Sequence, residues 1–130
     1  MRLPEETIRR LQPYFPTLDL TTIRVELREP SRLVPGCCGH HAGPPQAMEK
    51  AGSSPYPGLI VINPEYWAPD TLEGLRLIAH ELKHQEQQQN PYFDQLYDAQ
   101  AAEAEARGLE PWEIPLEREA YLFEAMVSHP

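Results

Sequence analysis

Only two cysteines occur in the 130 residues, Cys37 and Cys38, and they are neighbours. A disulfide between adjacent residues is strained, so the chain is not an extracellular scaffold stapled by disulfides. No apolar run approaches the roughly 18 residues that a bilayer span needs, and the opening MRLPEETIRR has no apolar core of a secretion signal. Neither a membrane span nor a standard leader is expected. The default location is cytoplasmic, with leaderless export left open. Basic residues are also few: 11 Lys and Arg against 20 Asp and Glu give a net charge of −9 and a pI near 4.9. That balance argues against nucleic acid and anionic membrane as partners, since both reward a basic footprint. Glycine-rich phosphate loops, paired-cysteine zinc fingers and internal repeats are missing as well.

Proline, by contrast, is abundant, at 15 residues, so helices and strands should be short and sharply bounded. An apolar content of 41% in a chain of this length suits one packed domain, residues 1–130, rather than two. Residues 4–11 read as a helix, with Glu5 and Glu6 at its positive end and Arg9 and Arg10 at the other. Residues 22–28 alternate, with Ile23, Val25 and Leu27 on one side, as in a strand with one buried face. Residues 30–58 are dense in Pro, Gly and Ser and read as a long loop with one short helical turn at 46–50. Leu59, Ile60, Val61 and Ile62 then form a continuous apolar strand, and Asn63-Pro64 ends it. Asp70, with Glu73 three along, would cap a helix reaching Asn90-Pro91. Two further helices are expected at 94–107, stopped by Gly108, and at 115–127, opened by Pro115. The fold class is α+β.

The long helix carries the chemistry. His80-Glu81-Leu82-Lys83-His84 is an H-E-x-x-H pattern. Histidines four apart lie about 40° from each other around a helix, so their ring nitrogens can converge on one metal ion. Glu81, about 100° from His80, can reach a water beside that ion without ligating it. Leu75, Ile78, Ala79 and Leu82 form the stripe to be buried, and Leu77 falls within the flank lined by His80, Glu81, His84 and Gln88. Catalytic zinc is held by three protein ligands, and two histidines with one glutamate is an established set. Glu117, early in the last helix, is the best candidate for the third, with Glu124 the fallback and Glu119 pointing away. The plain alternative is that Glu117 merely offsets the helix N-terminus.

These residues resemble a known family. His80-Glu81-x-x-His84, followed by Glu117-Arg118-Glu119-Ala120, resembles the gluzincin branch of zinc metallopeptidases. The similarity is greatest to the small zincin domains of the contractile-injection-system core type. It extends loosely through Leu18-Asp19-Leu20, residues 59–67 and Pro69-Asp70-Thr71, covering about 13–124. The resemblance implies a minimal zincin-like fold, a small sheet packed on the metal helix with two helices after it. It also implies Zn2+ held by His80, His84 and Glu117, with Glu81 as general base in peptide-bond hydrolysis. Many larger gluzincins carry Asp four residues after the ligand Glu, to brace a histidine. Here that position is Tyr121, which would supply a hydroxyl hydrogen bond or simply pack. Tyr92, Tyr97 and Tyr121 are available as donors to a developing oxyanion. A peptide or protein substrate would add as a strand along a sheet edge, provided by residues 59–63. Oligomeric state is not readable.

Cys37-Cys38-Gly39-His40-His41 lies outside the resemblance. It would bind a second metal, place a thiolate on the catalytic zinc, or do nothing specific. Trp67 and Trp112 read as core or cleft-rim aromatics. The alternative to an enzyme is a metal-binding structural or interaction module with little or no catalysis.

Overall fold

The computed structural model describes residues 1–29 and 51–128. The expected turn at 46–50 and the Cys37, Cys38, His40 and His41 cluster lie outside the described residues. Among the described residues the architecture is α+β, with a three-stranded mixed sheet and four helices. The strands are β1 (Arg24–Leu27), β2 (Gly52–Tyr56) and β3 (Leu59–Ile62), in the order β1-β3-β2. β1 runs parallel to β3, pairing Arg24 with Leu59, and β2 runs antiparallel to it. The helices are α1 (Glu5–Leu11), α2 (Leu72–Gln87), α3 (Phe93–Ala106) and α4 (Pro115–Met126).

All four residues of β3 are buried, which follows from its central place between two strands. Ile60 and Ile62 meet Leu75, Ile78, Ala79 and Leu82 of α2, joined by Leu11, Phe15, Leu20 and Val25. Fully burying each large aliphatic or aromatic side chain in that group contributes about 1.5–3 kcal/mol. The apolar stripe therefore fixes the rotation of α2, and with it the direction in which the adjacent histidines point.

Three sequence expectations need correction. The stretch 52–56, assigned to the long loop, is the edge strand β2, hairpinned to β3 through a turn with Gly58 at φ +92°. Its Ser- and Pro-rich sequence has little strand propensity of its own. The pairing is supplied by β3, and by Gln85 of α2, whose amide reaches Ser54 Oγ, the carbonyls of Tyr56 and Leu59, and the Gly58 N–H. The cap of α2 is Thr71, not Asp70 with Glu73: Thr71 Oγ1 accepts from Gly74 N–H at 3.0 Å. β1 begins at Arg24, with Thr22 in a preceding 3-10 turn, and Leu27 is exposed rather than facing the core.

The remaining boundaries agree within a residue or two. Gly108, at φ +68°, ends α3 as its left-handed conformation requires, and the Leu109 N–H returns to the Ala104 carbonyl at 2.8 Å. Tyr97, Ala104 and Ile114 form a second small core that folds α4 back toward α2. Arg76 of α2 completes the closure by donating to the Val127 and Ala125 carbonyls at the end of α4. Among the described residues, no helix is long and apolar enough to cross a membrane.

Candidate metal centre

His80, Glu81 and His84 leave the flank of α2 beside its core stripe and are only 2%, 2% and 7% exposed. Opposite them, Glu117, Tyr121 and Glu124 lie on one face of α4, since offsets of four and seven return within about 40° on a helix. This face grips His80 along its whole ring. Glu117 Oε1 is 3.3 Å from Nε2, the Tyr121 ring meets the imidazole edge-on at 4.6 Å, and Glu124 Oε1 is 2.8 Å from Nδ1. Glu117 Oε1 is also 2.9 Å from Nε2 of His84. One potential ligand atom from each of His80, His84 and Glu117 thus falls within 4.8 Å of the others.

The hydrogen bonds on the far sides of the rings decide the tautomers. Glu124, as a carboxylate, only accepts, so Nδ1 of His80 donates to it. Gln87 donates its amide Nε2 to the Leu116 carbonyl at 3.0 Å, which turns Oε1 toward Nδ1 of His84 at 2.8 Å. His84 therefore also donates from Nδ1. Both Nε2 atoms are left facing Glu117 Oε1. In the neutral rings this brings two lone pairs and a carboxylate oxygen together, an arrangement that needs a cation among them. The spacing suits a metal. Two donors, each about 2.0–2.1 Å from a tetrahedral ion, are about 3.3 Å apart, close to the 3.3 and 2.9 Å observed. The donor set, two imidazoles and a carboxylate with outer hydrogen bonds on each imidazole, fits zinc.

Without a metal, protons serve as that cation. Burial alone would lower the pKa of His80, but hydrogen bonds to Glu117 and Glu124 raise it to about 10. His84 is likewise raised: burial would lower it, but the charge and hydrogen bond of Glu117, with the Glu81 charge, together outweigh burial. Burial would raise Glu117, yet the opposing His84 and His80 hold it well below the usual carboxylate range. Glu81 differs. Burial dominates and pushes it up to about 7, although the charges of His80 and His84 pull it down. Its Oε2 packs against β2 at Gly52, where an added Cβ would come within 3.1 Å.

The structure thus brings His80, His84 and Glu117 together, with Glu81 buried beside them. Tyr121 lies against the His80 ring. Glu124, the fallback ligand, braces His80 from its far side. Tyr97 donates to Glu117 Oε2 at 2.7 Å, whereas Tyr92 is exposed at the start of α3. Gln87 was not anticipated, though its place three residues after His84 put it within reach. Residues 59–63 offer no free edge, because β3 is central. The outer edge of β1 is also paired, by Met1 with Val25 and Arg2 with Arg24. Among the described residues, β2 is the edge without a partner strand.

Residues 58–92 match the family model of the eCIS core domain. The matched segment holds β3 and all of α2, hence His80, Glu81 and His84, whereas Glu117, Tyr121 and Glu124 fall beyond it. No curated protein and no solved structure matches the chain. The family match supports the resemblance to the contractile-injection-system core family, and the His80, His84 and Glu117 cluster fits a metal-binding module.

Proposed function

We propose that this chain is a zinc-dependent peptidase in which His80, His84 and Glu117 hold the metal and Glu81 is the general base. The observation that carries the metal part is the convergence of both Nε2 atoms on Glu117 Oε1, with each Nδ1 already engaged on its far side. A zinc ion bound there would supply Lewis-acid polarisation of a carbonyl and acidify a water. Glu81 supports the catalytic part. A purely structural site has no use for a carboxylate buried beside the cluster, and the burial that raises Glu81 to about 7 in the metal-free protein favours a group that can take and return a proton. In this reading Glu81 accepts the proton of the attacking water and delivers it to the departing amine. The peptide in this reading lies along β2, which packs against Glu81 Oε2 at Gly52 and has no partner strand on its outer side among the described residues.

The second reading is a metal-binding module without turnover. In its favour, Tyr97, one of three hydroxyls available to stabilise an oxyanion, is engaged on Glu117 instead. Glu81→Gln separates the two. Under the peptidase reading, hydrolysis of a mixed peptide library falls by about 10²–10⁴-fold while stoichiometric zinc is retained. Hydrolysis unchanged in the variant sinks the role given to Glu81, and hydrolysis absent from the zinc-loaded wild type leaves the module.

A further inference from the structure

Tyr97 comes from α3, an element that contributes nothing else to the metal cluster. Its side chain is buried, and its hydroxyl donates to Glu117 Oε2 at 2.7 Å. The other carboxylate oxygen, Oε1, is the one aimed between the two histidines, at 2.9 and 3.3 Å from their Nε2 atoms. The two oxygens of Glu117 therefore have separate tasks. A carboxylate free of outer contacts can close on an ion with both oxygens and so fill two coordination positions. With Oε2 turned to a phenol and held there, Oε1 is the oxygen oriented to ligate.

We propose that Tyr97 is a positioning residue that restricts Glu117 to one-oxygen ligation, leaving the fourth coordination position of the metal open for water or substrate. The inference rests on the metal reading above and adds the residue that keeps the site open. It also removes Tyr97 from the oxyanion donors, because turning its hydroxyl toward a substrate would release Glu117. α3 is anchored for this task by Phe93, Ala101, Leu109, Leu116 and Ile114 around the Tyr97 and Ala104 core. The Gln100 side chain also accepts from the Leu116 N–H at 2.9 Å, tying α3 to the first turn of α4 beside Glu117.

The test uses the full chain with cobalt in place of zinc, as wild type and as Tyr97→Phe, which removes only the hydroxyl. Wild type should give the intense visible absorption of four-coordinate cobalt and respond spectrally to added azide at the open position. Tyr97→Phe should give the weaker band of five-coordinate cobalt, lose the azide response and change metal affinity by about 10- to 100-fold. Superimposable spectra overturn the proposal while leaving the metal reading intact. Failure of wild type to take up cobalt or zinc overturns both. Should Tyr97→Phe not fold, infrared difference spectra of the wild type on zinc loading decide instead. A wide separation of the carboxylate stretches reports one-oxygen ligation by Glu117, and a narrow one overturns it.

Discussion

Glu124 Oε1 sits 2.8 Å from Nδ1 of His80, seven residues beyond Glu117 on the same face of α4. The resemblance to larger gluzincins implies a bracing carboxylate four residues after the ligand, where this chain has Tyr121. Here a carboxylate contact to the His80 ring comes from three residues further along, and the Tyr121 ring meets the same imidazole edge-on at 4.6 Å. An outer carboxylate fixes the tautomer and orientation of a ligating imidazole and raises its basicity.

Glu124→Ala should therefore weaken zinc binding by about 10- to 100-fold, measured by competition with a chromophoric chelator. Glu124→Gln keeps an acceptor for the Nδ1 proton and should lose markedly less. Equal affinity in wild type and Glu124→Ala would show that the contact does not orient the ligand.

How legible the site was depended on how local its causes are. The grouping of His80, Glu81 and His84 on one flank follows from helical spacing alone, and Glu117 from its place early in the last helix together with the resemblance. Glu124 was visible as a neighbour of Glu117 on a helical face, but not as a brace, because its role depends on how closely α4 packs on α2. Tyr97 was readable as one of three hydroxyls near the site but not as a partner of Glu117, since nothing in residues 93–106 indicates which side of α3 meets Glu117. β2 was unreadable for the same reason. Gly52-Ser53-Ser54-Pro55-Tyr56 becomes a strand through β3 and Gln85, both distant in sequence from its own propensities.

The pH dependence has a definite sign. In the metal-free protein His80 is raised from 6.5 to about 10, burial being outweighed by its hydrogen bonds to Glu117 and Glu124. Its contribution to stability is complete below about 6.5 and is lost as pH rises through 10. Glu81, raised by burial from 4.5 to about 7, acts in the same direction: the fold holds its proton more tightly than the unfolded chain, so stability falls across that interval. Glu117, held low, contributes stability above 4.5 that is lost in stronger acid. Zinc held as proposed would displace the His80 proton, so its apparent affinity should climb about tenfold per pH unit for each proton released. Thermal unfolding with and without zinc should show a metal-dependent rise in Tm that grows from about pH 6 to about pH 8.5. A rise in Tm independent of pH would mean that the metal sits elsewhere.

Gln85→Ala should loosen the hairpin. The side chain is buried, accepts from Gly58 N–H at 2.7 Å and donates toward the Leu59 carbonyl at 2.9 Å. Leaving buried backbone groups unpaired costs about 1–3 kcal/mol each. A loss of about 2–4 kcal/mol is expected, with faster hydrogen exchange at Gly58 than in α1. Protection at Gly58 equal to that of wild type would show that β2 pairs with β3 unaided.

Gly74→Ala sets two effects against each other. Alanine in a helix gains about 0.8–1.0 kcal/mol over glycine by propensity. An added Cβ at Gly74, however, would come within 1.9 Å of the Ala68 carbonyl oxygen and 2.4 Å of its carbon. These are backbone atoms, and the same oxygen accepts from Thr71 N–H at 3.0 Å and Thr71 Oγ1 at 2.9 Å, so moving it breaks the contacts that start α2. Overpacking of this kind costs about 1–3 kcal/mol or more, and the clash should outweigh the propensity gain. Chemical denaturation should show Gly74→Ala less stable than wild type by about 1–2 kcal/mol. Because the first turn of α2 would shift while the helix beyond Leu75 stays locked by its core contacts, zinc affinity should change far less than in Glu124→Ala. A large loss of zinc in Gly74→Ala would mean instead that the entry of α2 helps set the angle at which His80 and His84 face Glu117.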